Sequence, residues 1–273
     1  MQKIIIQTGQ HVGQDVMPAA VRVLELLQNT FNLPIKIVLS ENADSSFQKI
    51  VSENTGTNNI IFTGPLAPED KKFLKAQDPL LSLSQTICYP VLAEKSPLRQ
   101  EYIQDGFNIL FAGYQKATYQ EALELTSSFS HTLTLTEPEE SMPNFKVFTP
   151  SQIATQLLYN QSQFQVIAAE QAASEVLSTL ASELSGTPQV TGNAWIFPKA
   201  NGLPPVYEAT SAMLQLKSGK GTANPISAFT ALVMLLRCSL AEKEAADSLE
   251  EGIHALLEVG ARTEDLAPND PFL

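Results

Sequence analysis

Cysteine is nearly absent: the 273 residues hold two, Cys88 and Cys238, each in apolar surroundings and neither in a C-x-x-C pair. That excludes a disulfide framework and a thiolate zinc site, and it fits buried free thiols in a reducing compartment. Histidine is as sparse. His11, His131 and His254 lie in separate segments without ligand spacing, so no histidine metal centre is expected. No apolar run approaches the roughly 18 residues a membrane span needs. The opening MQKIIIQTG has too short an apolar core for a secretory signal. A cytoplasmic protein without a membrane partner is therefore expected. Positive charge is the minority sign, 17 Lys and Arg against 29 Asp and Glu, for a net charge of -12. That field repels a phosphate backbone and argues against nucleic acid. No G-x-S-x-G elbow and no P-loop occur. The stretch SGKG (218–221) lacks the Ser or Thr that must follow a P-loop lysine.

What is present is an alternating pattern. KIIIQTG (3–9), IKIVLS (35–40) and NNIIFTGP (58–65) are β-rich runs. DVMPAAVRVLELLQNTF (15–31) and SSFQKIVSEN (45–54) carry helical spacing between them. The order β-α-β-α-β predicts a parallel sheet covered by helices. Further strands are expected at 84–93, 106–114, 164–169 and 192–198, and helices at 151–160, 171–186 and 245–261. The alternating Thr and Leu of SHTLTLTEPEESMPNFKVF (130–148) predicts an antiparallel hairpin arm with EPEES as its turn. NPISAFTALVMLLRCSL (224–240) is apolar all round, so it reads as a buried helix or one at a subunit contact. The acidic clusters at 68–70, 137–140 and 247–251 read as solvated turns or helix faces. Gly9 and Gly13 lie between a strand and a helix, where a turn can cradle phosphate. With His11 in the middle place the motif is incomplete, and a plain tight turn is the better reading.

Five stretches, in order, carry a resemblance. They are TGQHVGQDVMPAAVRVLE (8–25), IIFTGPLAPE (60–69), QLLYNQSQFQVIAAEQAASEVLS (156–178), YEATSAMLQLKSGKGTANPISA (207–228) and VGARTEDLA (259–267). Together they resemble the isocitrate/isopropylmalate dehydrogenase family. The fourth matches the family's cofactor loop E-P-V-H-G-S-A-P-D-I-A-G-K-G-I-A-N-P at equal length. The fifth resembles the closing G-x-R-T-x-D-L. The resemblance implies a two-domain α/β fold with a mixed sheet and a shortened clasp or arm. It places residues 1–93 and 207–273 in a large cofactor-type domain and 94–206 in a small one. The implied chemistry is NAD(P)-dependent oxidation of a 2-hydroxy acid followed by metal-assisted decarboxylation.

The departures fall where that chemistry resides. The cofactor-loop His and Asp are matched by Ser211 and Leu216, and leucine cannot accept a ribose hydroxyl. Gly219, Lys220, Gly221 and Asn224 remain as the remnant loop. The substrate-clamping segment falls near DPLLSLSQTICYPV without an arginine. The next two family arginines align with Tyr89 and Ala112. Only Arg99 lies between Arg22 and Arg237. Bidentate guanidinium groups hold di- and tricarboxylates, so the substrate clamp is missing. Tyr119 matches the family tyrosine, with Lys116 nearby, and these two are the catalytic candidates. The metal-binding aspartates align with Ser151, Glu175 and Thr179, so Glu175 is the one metal candidate left.

Three functions stay open. The first is a catalytically degenerate member that acts by binding, as a homodimer or with a related dehydrogenase subunit, and needs no cofactor. Its interface would be the 226–240 helix and the Thr/Leu arm. The second is an active enzyme with altered substrate, using NAD or NADP with Mg or Mn and drawing on Lys116, Tyr119, Tyr89, Glu175 and Lys220. The third is a small-molecule sensor.

Overall fold

The structure is a computed structural model that describes residues 1–40, 46–56, 58–103, 105–127, 133–136, 145–210 and 223–266. The chain starts with β1 (Gln2–Gln7), α1 (Gly13–Phe31), β2 (Ile35–Leu39), α2 (Phe47–Glu53), β3 (Asn59–Thr63) and α3 (Pro68–Lys75). It continues through β4 (Leu81–Cys88), α4 (Gln100–Ile103), β5 (Phe107–Tyr114), α5 (Tyr119–Ser127), β6 (Leu133–Thr136) and β7 (Lys146–Phe148). Then come α6 (Pro150–Tyr159), β8 (Val166–Glu170), α7 (Gln171–Leu184), β9 (Gly192–Ile196), β10 (Val206–Ala209), α8 (Ile226–Leu235) and α9 (Lys243–Glu258).

Two compact units result. One comprises 1–79 and 192–273, the other 80–191. Relative to the expected limits, β4 and the turn after it belong with the smaller unit, because β4 pairs along its length with β5.

The first unit orders its strands β2-β1-β3-β10-β9. β1 pairs in parallel with β2 and β3, β3 with β10, and only β9 runs antiparallel. Short β-branched runs buried on both faces suit such a sheet. One side of its core gathers Ile5, Phe47, Ile61, Leu74, Trp195 and Val206. All ten residues of α8 are buried within the single chain. Its apolar surface is consumed there, which removes this helix as a docking face.

The second unit orders its strands β4-β5-β8-β6-β7, with β4 antiparallel to β5 and the rest parallel. Ile109, Phe111, Ile153, Phe164, Ile167 and Leu177 form its core. Here the expected hairpin arm is corrected. β6 pairs in parallel with both β7 and β8, and all four of its residues are buried. Thr and Leu alternate because Thr134 and Thr136 are buried as well as Leu133 and Leu135, so polarity did not report exposure. The EPEES segment lies outside the described residues. The strand expected to reach 93 ends at Cys88, because Pro90 cannot donate to a ladder and opens a 3-10 turn instead.

Candidate functional site

In the first unit, β1 and β3 are neighbours whose connections leave in opposite directions, the place where open α/β sheets take ligands. The turns after these strands press backbone against backbone. A Cβ on Gly13 or on Gly64 would lie 1.9 Å from Thr8 O. Gly9, at φ +73°, faces Gly64 and Pro65, and Gln10 N donates to Pro65 O at 2.7 Å. Close approach therefore accounts for these glycines without a phosphate.

Beside that junction sits Glu208 on β10, a carboxylate with no exposure at all. Its Oε1 accepts from Leu66 N at 2.9 Å and from Lys71 Nζ at 2.8 Å; its Oε2 accepts from Asn193 Nδ2 at 3.3 Å. A buried charge persists only with such partners. The sequence reading passed over this pair. The signal was a lone glutamate in a four-residue apolar strand, set against lysines on a segment expected to be a solvated turn or helix face. That helix, α3, has Pro68 first, Glu69 and Asp70 in its first turn, and Lys72 and Lys75 in its last. This charge order suits the helix dipole. Burial and the neighbouring Glu69 raise the Asp70 carboxyl above its usual range.

The remnant loop is only partly described: Gly219, Lys220 and Gly221 lie outside the described residues, as do Ser211 and Leu216. Asn224 is placed, and it is buried. Its Oδ1 accepts from Ile226 N at 3.0 Å, capping α8. Its Nδ2 and main-chain N donate to Asp265 Oδ2 at 2.6 and 3.0 Å, and Thr263 Oγ1 donates to Asp265 Oδ1 at 2.6 Å. Asn224 and Asp265 thus clamp the loop end to the closing R-T-E-D segment. Asn224→Ala removes the side-chain acceptor of Ile226 N and one of the two bonds to a buried carboxylate, and should cost about 2 kcal/mol in urea unfolding. A cost under about 0.5 kcal/mol would refute this clamp.

In the second unit, Tyr119 is buried at the start of α5, edge-on to Tyr114 with ring centroids 5.2 Å apart. Lys116 is exposed in the 3-10 turn before it. Tyr89 is buried at the turn after β4. Glu175 lies on α7, and its Oε1 accepts from Gln171 Nε2 at 2.7 Å. At the other two positions the resemblance assigned to metal, Ser151 and Thr179 carry hydroxyls, and Thr179 Oγ1 donates to Glu175 O. Among the described residues no three His, Cys, Asp or Glu side chains converge on a point. This set does not fit a magnesium ion, which wants several hard oxygens, carboxylates foremost.

The four arginines are all placed. Arg22 is exposed on α1. Arg99 is the sole arginine of the second unit; it is 81% exposed and reaches Glu101 at 3.6 Å. Arg237 Nη2 donates at 2.6 Å to both Asp247 and Glu250. Arg262 Nη1 donates to the carbonyls of Leu257 and Ala261.

Both thiols are free. Burial pushes Cys88 up to about 11 and Cys238 to about 12. A folded value above the ordinary 9.0 means that the native state holds its proton longer than the unfolded chain. The associated stability is complete below pH 9 and drains away towards pH 11. Cys88→Ala should therefore flatten the loss of stability over that range by about 2–3 kcal/mol. Parallel pH curves for the two proteins would contradict it.

Residues 150–271 match the family model described as isocitrate/isopropylmalate dehydrogenase. The 3-isopropylmalate dehydrogenase of Bacillus subtilis (strain 168) is 30% identical over 176 residues, 63% of this chain and about half (47%) of that relative. That of Xanthomonas oryzae pv. oryzae (strain MAFF 311018) is 22% identical across 97% of this chain and 94% of its own. The crystal structure of isocitrate dehydrogenase from Methylococcus capsulatus superposes with a TM-score of 0.73 at 18% identity, covering 98% and 95% of the two chains. No helix among the described residues is long and apolar enough to cross a membrane. Residues 150–271 are thus similar to the isocitrate/isopropylmalate dehydrogenase family, and the chain as a whole shares the fold of an isocitrate dehydrogenase.

Proposed function

We propose that this chain has lost the dehydrogenase reaction and acts by binding, as a non-catalytic subunit in the cytoplasm. It pairs with a second copy of itself or with a related dehydrogenase subunit. One observation carries the reading. The second unit holds a single arginine, Arg99, which points into solvent beside Glu101. A substrate with two or three carboxylates needs convergent guanidinium groups, because lysine offers no planar fork. The lone Glu175 at the positions implied for metal points the same way. On this reading the chain needs no cofactor, and the loop glycines and Asn224 serve as scaffold.

The test is turnover. The purified protein should reduce neither NAD nor NADP with 3-isopropylmalate or isocitrate, in Mg or in Mn. A saturable rate above that of a Glu175→Gln, Tyr119→Phe double variant would overturn the proposal. It would favour the second reading, an NAD(P)-dependent 2-hydroxy acid dehydrogenase with altered substrate. The relatives named as 3-isopropylmalate dehydrogenases support that alternative.

A further inference from the structure

A pocket of about 160 Å³ opens in the first unit between the start of α8, the end of α9 and residues 261–266. That is about the size of a cavity that admits a benzene ring. Its walls are Ile226, Phe229, Ile253, Leu257 and Leu266, and the one charged group in its lining is Arg262. The guanidinium is fixed by a single nitrogen. Nη1 donates to Leu257 O at 2.7 Å and to Ala261 O at 2.8 Å. Among the described residues Nη2 and Nε have no partner, so the side-on edge of the fork is open. Among the described residues no carboxylate lies within ion-pair distance of the guanidinium; Asp265, three positions on, accepts from Asn224 and Thr263.

This is a chamber for an apolar body with one preset carboxylate receptor in its lining. We propose that it binds a small monocarboxylate with a compact branched-alkyl or aryl body. The charge on the ligand is required because a neutral group leaves the open guanidinium edge unanswered. A second carboxylate is excluded because it would be buried against Leu and Ile. The pocket shares Asn224 and Pro225 with the end of the remnant cofactor loop, but the proposal draws on Arg262 and the apolar wall, so it stands whether or not dehydrogenation is lost.

The experiment titrates the full chain with 4-methylpentanoate, followed by NMR shifts and calorimetry. Its neutral amide, acetate and 2-isopropylsuccinate serve as comparisons. Saturable one-site binding of the acid is expected, with shifts centred on Phe229, Ile253 and Arg262. The amide should bind about tenfold more weakly, the usual worth of a charge-assisted bond. Acetate and the diacid should show no saturation. Arg262→Gln should erase the preference for acid over amide, while Arg262→Lys keeps part of it. Equal binding of acid and amide, or no saturation by either, overturns the proposal on the native protein alone. So does undiminished acid preference in Arg262→Gln.

Discussion

Gly64→Ala should cost about 3 kcal/mol or more in urea unfolding, near the upper end for overpacking. The new methyl would sit 1.9 Å from Thr8 O and 3.2 Å from the Cα of Gly13, and both obstacles are backbone. No rotamer change relieves that; the turns after β1 and β3 must part. Gly13→Ala meets the same carbonyl and should cost a similar amount. Two glycines serve as controls. Gly202, at φ +64° with nothing within 4 Å, should lose only about 1–2 kcal/mol as alanine, the cost of the left-handed backbone. Gly252, in mid-α9 with open space around it, should gain roughly 0.5–1 kcal/mol, because alanine forms helix better. Gly64→Ala and Gly252→Ala of equal stability would contradict the contact between the turns.

Lys71→Met should cost about 3 kcal/mol, the lower end for orphaning a buried charge, since Lys71 itself is 35% exposed and water reaches it. Glu208 would keep only Leu66 N and Asn193 Nδ2 as donors. Glu208→Gln should cost about 1 kcal/mol, because the amide oxygen still accepts and the lysine turns to solvent. The double variant should cost less than the sum of its parts by at least about 1 kcal/mol, the coupling of a contacting pair. Strict additivity would show that the pair does not interact.

These two sites mark where sequence and structure part company. The alternating elements of the first sixty residues were legible because β-branched runs and helical spacing agree with the parallel pairing of β1, β2 and β3. The buried α8 was legible from its unbroken apolar run. The Thr/Leu strand was misread, because alternation normally signals one wet face and β6 has none. The Lys71–Glu208 pair was invisible, because residues 137 positions apart in the chain meet only once β10 inserts beside β3. α3 carried its charge order in plain view, yet an acidic triplet alone does not distinguish a solvated turn from a helix face. The loop motif singles out Asn224, but its bond to Asp265 becomes evident only through the fold. The scarcity of arginine needed no fold to see; the structure adds where each of the four goes.

The most direct measurement is thermal unfolding with NAD or NADP, each with isocitrate or 3-isopropylmalate, with and without magnesium. A ligand at a hundred times its dissociation constant adds about 2.7 kcal/mol of stability and moves the midpoint by degrees. A chain that has lost its substrate clamp should show the same midpoint in every combination. A cooperative rise that needs cofactor and acid together would mean that the site is intact and the chain is an enzyme.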